Sequence, residues 1–259
     1  MGTIHANGID IHYELSGSGP VVTLAHSLAT DLTLWDGLAA ALSERFTVLR
    51  YDARGHGRTS APEGPYTWPM LVDDLVGLLD RLSIERTHFV GLSMGGMLGQ
   101  AFALAHPERL GKLVLVSTTS RVPPEAKPLW DERIAIAREK GMQAHVAATL
   151  ERWFTAPYRA EHPEVMAKIG AMVAATPVAG FAGWGAAIAT LDLTAQLGAI
   201  RAPTLVVCGA EDPGTPPAAN RAIAEAIAGA RFEMLPDASH QLVIEQAETF
   251  RRILLDFLG

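Results

Sequence analysis

Short apolar runs alternate along this chain with segments whose apolar residues recur at helical spacing. The strand-like runs are Ile4–Ala6, Ile9–Tyr13, Val21–Ala25, Thr47–Tyr51, His88–Val90, Leu113–Val116, Thr204–Cys208 and Phe232–Leu235. The helical patterns are Leu34–Leu42, Met70–Leu82, Met97–Ala105, Ala218–Ala228 and Glu245–Leu258. This alternation is typical of βαβ units, so it predicts an α/β fold with a mostly parallel sheet flanked by helices. Asn7-Gly8, between the first two runs, predicts a hairpin.

The alternation stops in the middle of the chain. From about Val122 to Leu193 the sequence has helical patterns and no convincing strand. We therefore predict a first core part at residues 1–121, a helical cap at 122–193 and a second core part at 194–259. Within the cap, the stretch from Ile169 to Leu191 has no charge, but Pro177 and four glycines argue against a membrane span.

Composition narrows the classes of partner. The chain has 259 residues, 49% of them hydrophobic, which suffices for a large core and is too apolar for disorder. Lys and Arg total 21 against 28 Asp and Glu, and a net charge of −7 without a basic run argues against nucleic acid and membranes as partners. We expect a small-molecule substrate; the oligomeric state stays open, with a homo-oligomer among the options.

Motifs for metals, cofactors and export are not found. Cys208 is the single cysteine, which excludes a disulfide framework and a multi-cysteine metal site. The sequence has no H-E-x-x-H motif, no P-loop and no G-x-G-x-x-G after a strand, so we expect no metal and no cofactor. The first residues lack the basic and apolar regions of a signal peptide, so a cytoplasmic location is the expectation.

A candidate nucleophile lies where a predicted strand meets a predicted helix. Gly91-Leu-Ser-Met-Gly95 matches the pattern G-x-S-x-G, in which a serine occupies a sharp strand-to-helix turn between small residues. The helix N-terminus favours negative charge at such a serine. We predict Ser93 as the nucleophile; the alternative is a helix-capping serine between two packing glycines.

A serine nucleophile needs a general base that a carboxylate orients, and on this kind of sheet the chain order is serine, acid, histidine. Among nine histidines, His240 follows the last strand-like run and precedes the final helix, so we predict it as the base. Asp212 follows the run Thr204–Cys208 and is the predicted acid, with Glu211 and Asp237 as rivals. The alternative role of Asp212 is that of a turn-forming residue.

The transition state of acyl transfer carries an oxyanion that backbone N–H groups stabilise. One donor should follow the nucleophile and the other should come from the loop after the first parallel strand. These positions are Met94 and Leu28.

With these residues the chain resembles the α/β-hydrolase superfamily over nearly its full length, and within it the 3-oxoadipate enol-lactonase family. The matching segments are Tyr51–Tyr66, Gly91–Gln100, His106–Arg109, Glu151–Thr155, Gly209–Pro217 and Ser239–Gln246. The segment Arg-Trp-Phe-Thr at 152–155 is the most discriminating of them. The resemblance implies an α/β-hydrolase fold with a helical cap, and it places the family's triad on Ser93, Asp212 and His240.

The resemblance also suggests substrate-binding residues in the cap. Trp130 and Arg133, spaced W-x-x-R, match family positions that face the substrate, and Trp153 and Trp184 are further candidates. A guanidinium at position 133 would suit the free carboxylate of an enol-lactone. The alternative for Arg133 is an exposed side chain paired with a neighbouring acidic residue, Asp131 or Glu132.

Several positions depart from the family pattern and leave the substrate open. The oxyanion loop has the sequence His26-Ser-Leu-Ala29 where the family usually has Asn-Ser-Leu-Gly. Ala189 lies near a position where family members tend to have arginine, Trp184 replaces a smaller residue and Gln241 replaces leucine. We predict hydrolysis of an ester or lactone through an acyl-enzyme, most similar to that of enol-lactonases. The alternatives are a carboxylesterase for small neutral esters, a cofactor-free perhydrolase or C–C hydrolase, and a receptor that retains the triad.

Overall fold

Eight β-strands form one sheet in this computed structural model, which describes residues 1–259. The strands are β1 (Gly2–Ala6), β2 (Ile9–Ser16), β3 (Val21–Ala25), β4 (Thr47–Tyr51), β5 (Thr87–Leu92), β6 (Leu110–Val116), β7 (Thr204–Gly209) and β8 (Arg231–Leu235). Their order is β1-β2-β4-β3-β5-β6-β7-β8. The six strands from β4 to β8 in this order pair in parallel, and β1 and β2 pair antiparallel at one edge.

The predicted strands and the hairpin are confirmed. Asn7 and Gly8 have φ of 46° and 76°, the two positive angles that a tight turn between β1 and β2 requires. Successive side chains along each buried strand point to opposite faces of the sheet, so each strand contributes to the apolar core on both faces. In β6, for example, Leu113 and Leu115 belong to one apolar cluster, and Val114 and Val116 belong to the other.

Helices cover both faces of the sheet. The helices are α1 (Asp36–Leu42), α2 (Trp68–Arg81), α3 (Met94–Ala105), α4 (Lys127–Lys140), α5 (Val146–Trp153), α6 (Ala156–Glu161), α7 (Pro163–Ala175), α8 (Val178–Ile188), α9 (Pro217–Ala226), α10 (Leu242–Glu245) and α11 (Ala247–Leu258). Helices α2, α3 and α9 pack on one face, and α1 and α11 pack on the other. The carboxyl ends of the parallel strands meet at one edge, where open α/β sheets place their ligands.

Helices α4 to α8 all lie between β6 and β7, and the residues before and after them are joined by a single bridge between Arg121 and Asp192. They pack closely against the core where α8 meets the loop after β4. A Cβ on Gly180 would lie 1.8 Å from the Gly55 carbonyl oxygen, so the two backbones can approach only because both residues are glycine. No single helix is long and apolar enough to cross a membrane; α7 and α8 reach that hydropathy only together, and they are bent by 89°.

Candidate active site

Ser93 is the one residue between the end of β5 and the start of α3. Its φ of 56° and ψ of −111° place it in a region that side chains rarely occupy. A Cβ on Gly91 would lie 2.2 Å from the Gly95 carbonyl oxygen, and a Cβ on Gly95 would lie 2.3 Å from the Ala25 carbonyl oxygen. The two glycines of the motif are therefore required for the turn that presents Ser93.

The backbone of Ser93 is held by the neighbouring strand. Its N–H donates to the Val116 carbonyl at 2.8 Å, and its carbonyl accepts from the Thr118 hydroxyl at 2.8 Å. Neither bond uses the Ser93 hydroxyl, which faces a cavity that His240 also lines. The structure thus fixes the backbone and leaves the hydroxyl without a partner in the protein.

His240 and Asp212 are in contact, although 28 positions separate them. His240 Nδ1 lies 2.7 Å from Asp212 Oδ2, and both side chains are buried. Asp212 Oδ1 accepts from the N–H groups of Gly214 and Thr215 at 2.8 and 3.0 Å, and Oδ2 accepts from the Thr215 hydroxyl at 2.7 Å. The rivals Glu211 and Asp237 are exposed and make no contact with His240.

These contacts keep Asp212 ionised. Burial alone would raise its pKa, but the interaction with His240 and the hydrogen bonds from His240 and Thr215 outweigh burial and lower the pKa below 3.8. A carboxylate only accepts hydrogen bonds, so it selects the tautomer with the proton on Nδ1 of His240. The free lone pair of Nε2 is then available to take a proton from a hydroxyl group.

Helix α5 of the cap is attached to the loop that carries His240. The Trp153 ring stacks on the imidazole at a centroid distance of 6.0 Å, and the Trp153 carbonyl accepts from the Gln241 N–H at 3.0 Å. Glu245 accepts from the N–H groups of both Thr155 and Ser239, at 2.7 and 2.6 Å. Trp153 therefore lines the cavity and at the same time orients the imidazole.

The loop after β3 supplies the predicted oxyanion donor. The N–H groups of Leu28 and Met94 donate no hydrogen bond within the protein, and Leu28 lines the same cavity as Ser93. Ala29, which stands at the family's glycine, has a φ of 60°, a strained value for alanine. The buried Gln241 amide donates to the Ser27 hydroxyl at 3.2 Å, so this departure from the family pattern links the base to the oxyanion loop.

Two buried histidines hold this loop in place. His56 Nε2 accepts from the Ala29 N–H at 3.0 Å, and His26 Nε2 accepts from the Ala53 N–H at 3.0 Å. Their Nδ1 atoms lie 3.2 Å from the Arg54 carbonyl and 2.8 Å from the Ser27 carbonyl. Each ring must therefore be neutral, with its proton on Nδ1. Burial, the main cause, lowers the pKa of both histidines, that of His56 to about 3.

This pair predicts an acid-sensitive stability. Because both folded-state pKa values lie below 6.5, the unfolded chain binds protons that the folded protein excludes. The contribution of both histidines to the free energy of unfolding is complete above pH 6.5 and is lost as the pH falls below that value. For His56 the loss continues down to about pH 3, by up to about 1.4 kcal/mol per pH unit. Urea unfolding at several pH values between about 4.5 and 7.5 measures the slope of the free energy of unfolding against pH.

In His56→Gln the amide oxygen can still accept from Ala29 but does not titrate, so the slope should become shallower. His5→Gln, on the exposed surface of β1, is the matched control and should keep the wild-type slope. An unchanged slope in His56→Gln would contradict the assignment.

The cavity around Ser93 and His240 has a volume of about 600 Å³. Predicted residues on its wall are Leu28, Trp130, Arg133 and Trp153. The Arg133 guanidinium lies over the Trp130 ring, 5.1 Å from its centroid, and forms no ion pair with Asp131 or Glu132. Asp131 pairs instead with Lys127, at 2.7 Å.

The structure does not bring Trp184 to this cavity. Its side chain is 1% exposed and its indole N–H donates to the Arg54 carbonyl at 2.8 Å. The ring meets those of His56 and Trp68 edge-on. The expectation that Trp184 contacts substrate is therefore corrected, because the large ring packs α8 onto the core instead.

A residue that the sequence did not single out also lines the cavity. Arg152, in the last turn of α5, lies on the wall near Arg133 and makes no side-chain hydrogen bond or ion pair. The signal was present in the segment Arg-Trp-Phe-Thr, but the sequence offered no means of telling which of its side chains faces inward.

Comparison with known proteins agrees with this geometry. Residues 20–247 match the family model described as the alpha/beta hydrolase fold. The chain belongs to the α/β-hydrolase family. It is 34% identical to 3-oxoadipate enol-lactonase 2 of Acinetobacter baylyi over 250 residues, which are 96% of this chain and 92% of that protein. It is also 32% identical to a putative carbamate hydrolase RutD of Caulobacter sp. strain K31, over 100% of this chain and 97% of the relative.

The solved structures include the enol-lactonase from Burkholderia xenovorans LB400. This α/β-hydrolase chain superposes on it with a TM-score of 0.95 at 43% identity, over 99% of both chains. The fold predicted from the sequence and the resemblance to enol-lactonases are thus confirmed, and the protein is a hydrolase.

Proposed function

We propose that the protein hydrolyses esters or lactones through an acyl-enzyme on Ser93. The observation that carries this proposal is the 2.7 Å contact between His240 and Asp212 at the cavity onto which the Ser93 hydroxyl opens. Nucleophilic catalysis requires a hydroxyl that can come within hydrogen-bond reach of an oriented imidazole. Ser93 and His240 line one cavity, and no other group of the protein engages the hydroxyl.

In the first half of the reaction, His240 Nε2 takes the hydroxyl proton as Ser93 Oγ attacks the carbonyl carbon. The unpaired N–H groups of Leu28 and Met94 donate to the resulting oxyanion. Collapse of this intermediate breaks the bond between the acyl carbon and the leaving oxygen, which takes the proton from His240. With a lactone, the leaving enol stays attached to the acyl chain.

In the second half, His240 removes a proton from water and the hydroxide attacks the acyl carbon. Collapse breaks the bond to Ser93 Oγ, which recovers the proton from His240. The product is the free acid, and no cofactor takes part. Asp212 stays ionised and stabilises the imidazolium that forms in each half.

Among esters and lactones, we propose an enol-lactone that bears a carboxylate as the preferred substrate. The similarity to enol-lactonases supports this choice. The unpaired Arg133 on the cavity wall supports it independently, since a guanidinium binds a carboxylate in a bidentate geometry. The Trp130 ring packs against the guanidinium and adds an apolar surface for the substrate.

A substrate panel tests both levels of the proposal. We expect kcat/KM for 3-oxoadipate enol-lactone, followed by its ultraviolet absorbance, to exceed that for a neutral lactone of similar size by roughly 10- to 100-fold, the value of a charged hydrogen bond. Neutral aryl esters, a carbamate and a perhydrolysis assay complete the panel. Turnover that resists a serine-directed organophosphate would overturn the mechanism, and faster turnover of neutral esters or of the carbamate would overturn the substrate.

A further inference from the structure

We propose that Thr30 is a positioning residue for the reaction: its hydroxyl holds the carbonyl of Ser27 and thereby fixes the direction of the Leu28 N–H. This inference rests on the proposed function, in which the Leu28 N–H donates to the oxyanion, and it adds the residue that aims this donor. The observation behind it is a group of buried hydrogen bonds that converge on one peptide unit beside the Ser93 cavity.

The Ser27 carbonyl and the Leu28 N–H belong to the same peptide unit. The protein has no cis peptide bond, and in a planar trans peptide the C=O and the N–H point in opposite directions. A contact that fixes the carbonyl therefore fixes the N–H as well. If this unit rotated by half a turn, an acceptor would replace the donor that the oxyanion needs, and the transition state would be repelled instead of stabilised.

Two side chains hold this carbonyl. His26 Nδ1 donates to the Ser27 carbonyl oxygen at 2.8 Å, and the Thr30 hydroxyl donates to the same oxygen at 2.9 Å. The backbone N–H of Thr30 adds a longer bond, at 3.3 Å. All three residues are buried, so rotation of the peptide unit would leave these donors without a partner and without water. The carbonyl is therefore held in one orientation.

The backbone after this peptide unit explains why it needs such support. Ala29 has a φ of 60°, in a region that alanine rarely adopts. A backbone in this region persists only where the surrounding contacts hold it. The Ala29 N–H donates to His56, and the bonds from Thr30 back to the Ser27 carbonyl close the loop across Ala29. Loss of the Thr30 hydroxyl should therefore let the loop relax and turn the Leu28 N–H.

The Thr30 hydroxyl is the last member of a hydrogen-bond series that begins beside the base. Gln241, which follows His240, donates from its amide to the Ser27 hydroxyl at 3.2 Å. The hydroxyl oxygens of Ser27 and Thr30 are also 3.2 Å apart. Because the Thr30 proton lies on the Ser27 carbonyl, the Thr30 oxygen is left to accept from the Ser27 hydroxyl. The series Gln241–Ser27–Thr30 therefore runs in one direction, and each bond in it strengthens the next.

The test removes the hydroxyl and measures turnover and transition-state binding separately. We expect Thr30→Val, which keeps a branched side chain of nearly the same size, to lower kcat for p-nitrophenyl acetate by roughly 10- to 100-fold, part of the loss that follows removal of a whole oxyanion donor. KM should rise by less than about 3-fold, because the ester has no charge on this oxygen before the attack. The inhibition constant of trifluoroacetone, whose adduct with Ser93 carries the same oxyanion, should rise by the factor by which kcat falls.

A matched exchange elsewhere in the core separates positioning from stability. Thr23 is an equally buried threonine on β3 that does not line the cavity, and its hydroxyl lies 2.9 Å from that of Thr87. Thr23→Val should lower the unfolding temperature and leave kcat and the inhibition constant of trifluoroacetone unchanged. Thr30→Ser keeps the hydroxyl, so its kcat should stay within about 3-fold of wild type.

A second variant tests the other end of the series. Gln241→Leu removes the first bond and leaves the Thr30 hydroxyl in place, so kcat should fall by less, roughly 3- to 10-fold, with the same rise in the inhibition constant. The double variant should lose no more than Thr30→Val alone, because both side chains act through one peptide unit. If Thr30→Val does not fold, Gln241→Leu provides the same comparison of kcat, KM and inhibition.

The outcomes separate the inference from the proposed function. Unchanged kcat and inhibition in Thr30→Val would overturn the inference, and so would equal losses of kcat in Thr30→Val and Thr23→Val. A rise in KM alone would assign Thr30 to substrate binding and overturn it as well. In each of these cases hydrolysis through Ser93 still stands. A wild-type protein that neither hydrolyses p-nitrophenyl acetate nor binds trifluoroacetone overturns both.

Discussion

Replacing Ser93 by alanine is expected to lower kcat by a factor of about 10⁴ to 10⁶ for every ester or lactone that the protein hydrolyses. The reason is that Ser93 occupies the strained strand-to-helix turn at the cavity that His240 also lines, and the buried Asp212 carboxylate orients that histidine. Attack by water alone would then rely on the oxyanion donors and on substrate binding. Steady-state rates with p-nitrophenyl acetate, before and after the substitution, measure the loss.

The same substitution should leave the fold intact. The Ser93 hydroxyl forms no hydrogen bond within the protein, and alanine keeps the Cβ that the strained backbone already accommodates. Ser117→Ala is a matched control, since Ser117 also directly follows a strand with a positive φ, of 43°, and its buried hydroxyl has no partner. Both variants should unfold at nearly the wild-type temperature, and only Ser93→Ala should lose activity. Activity above about 1% of wild type in Ser93→Ala, with contaminating esterase excluded, would contradict the role of Ser93.

Much of the fold could be predicted because it follows from local periodicity. The buried strands read as short apolar runs, and the helices between them repeat their apolar residues at helical spacing. The turn at Ser93 was also predictable, because positions 91 and 95 must be glycine: a Cβ there would lie only 2.2 and 2.3 Å from a backbone carbonyl oxygen. Such requirements are local, so they leave a pattern in the sequence.

The features that were missed depend on contacts between distant segments. Trp184 appears in an apolar, alanine-rich run that gives no sign of which side faces substrate, and only the packing of α8 against Arg54 and His56 decides it. Arg152 and Arg133 are 19 positions apart and belong to different helices, so their convergence follows from the way α4 and α5 pack. Sequence alone could not distinguish them from surface arginines.

The roles of His26 and His56 were missed for a related reason. Each precedes Ser93 in the chain, and no pattern in the sequence indicates a partner for either ring. The structure shows that each imidazole accepts a hydrogen bond from a loop N–H about 27 positions away, and therefore that each must stay neutral. The acid sensitivity that we predict and the position of the Leu28 N–H thus have one cause, the two neutral imidazole rings in a buried site.

Asp212→Asn is expected to lower kcat by about 10⁴ while leaving KM nearly unchanged. The carboxylate accepts the Nδ1 proton of His240; an amide can instead offer its N–H to Nδ1, which leaves the proton on Nε2, where it blocks proton transfer from Ser93. The imidazolium that forms during the reaction also loses its counter-charge. Steady-state kcat and KM of wild type and variant, measured with the same ester at neutral pH, check the effect.

Asp212→Asn should also destabilise the loop after β7 that carries Asp212, whereas Ser93→Ala should leave stability unchanged. Asp212 accepts three hydrogen bonds from Gly214 and Thr215, and an asparagine side chain must point its NH₂ group at one of these donors or at His240. Because the pKa of Asp212 is lowered, its stabilising contribution is present above pH 3.8 and lost as the pH falls below that value. Asp212→Asn should therefore unfold at lower urea concentration than wild type at pH 7, with less of a difference near pH 3. Asp237→Asn is the same exchange at an exposed position of the loop that carries His240, and it should change neither rate nor stability. If the Asp212→Asn rate stayed within about 10-fold of wild type, the orienting role would belong to another residue.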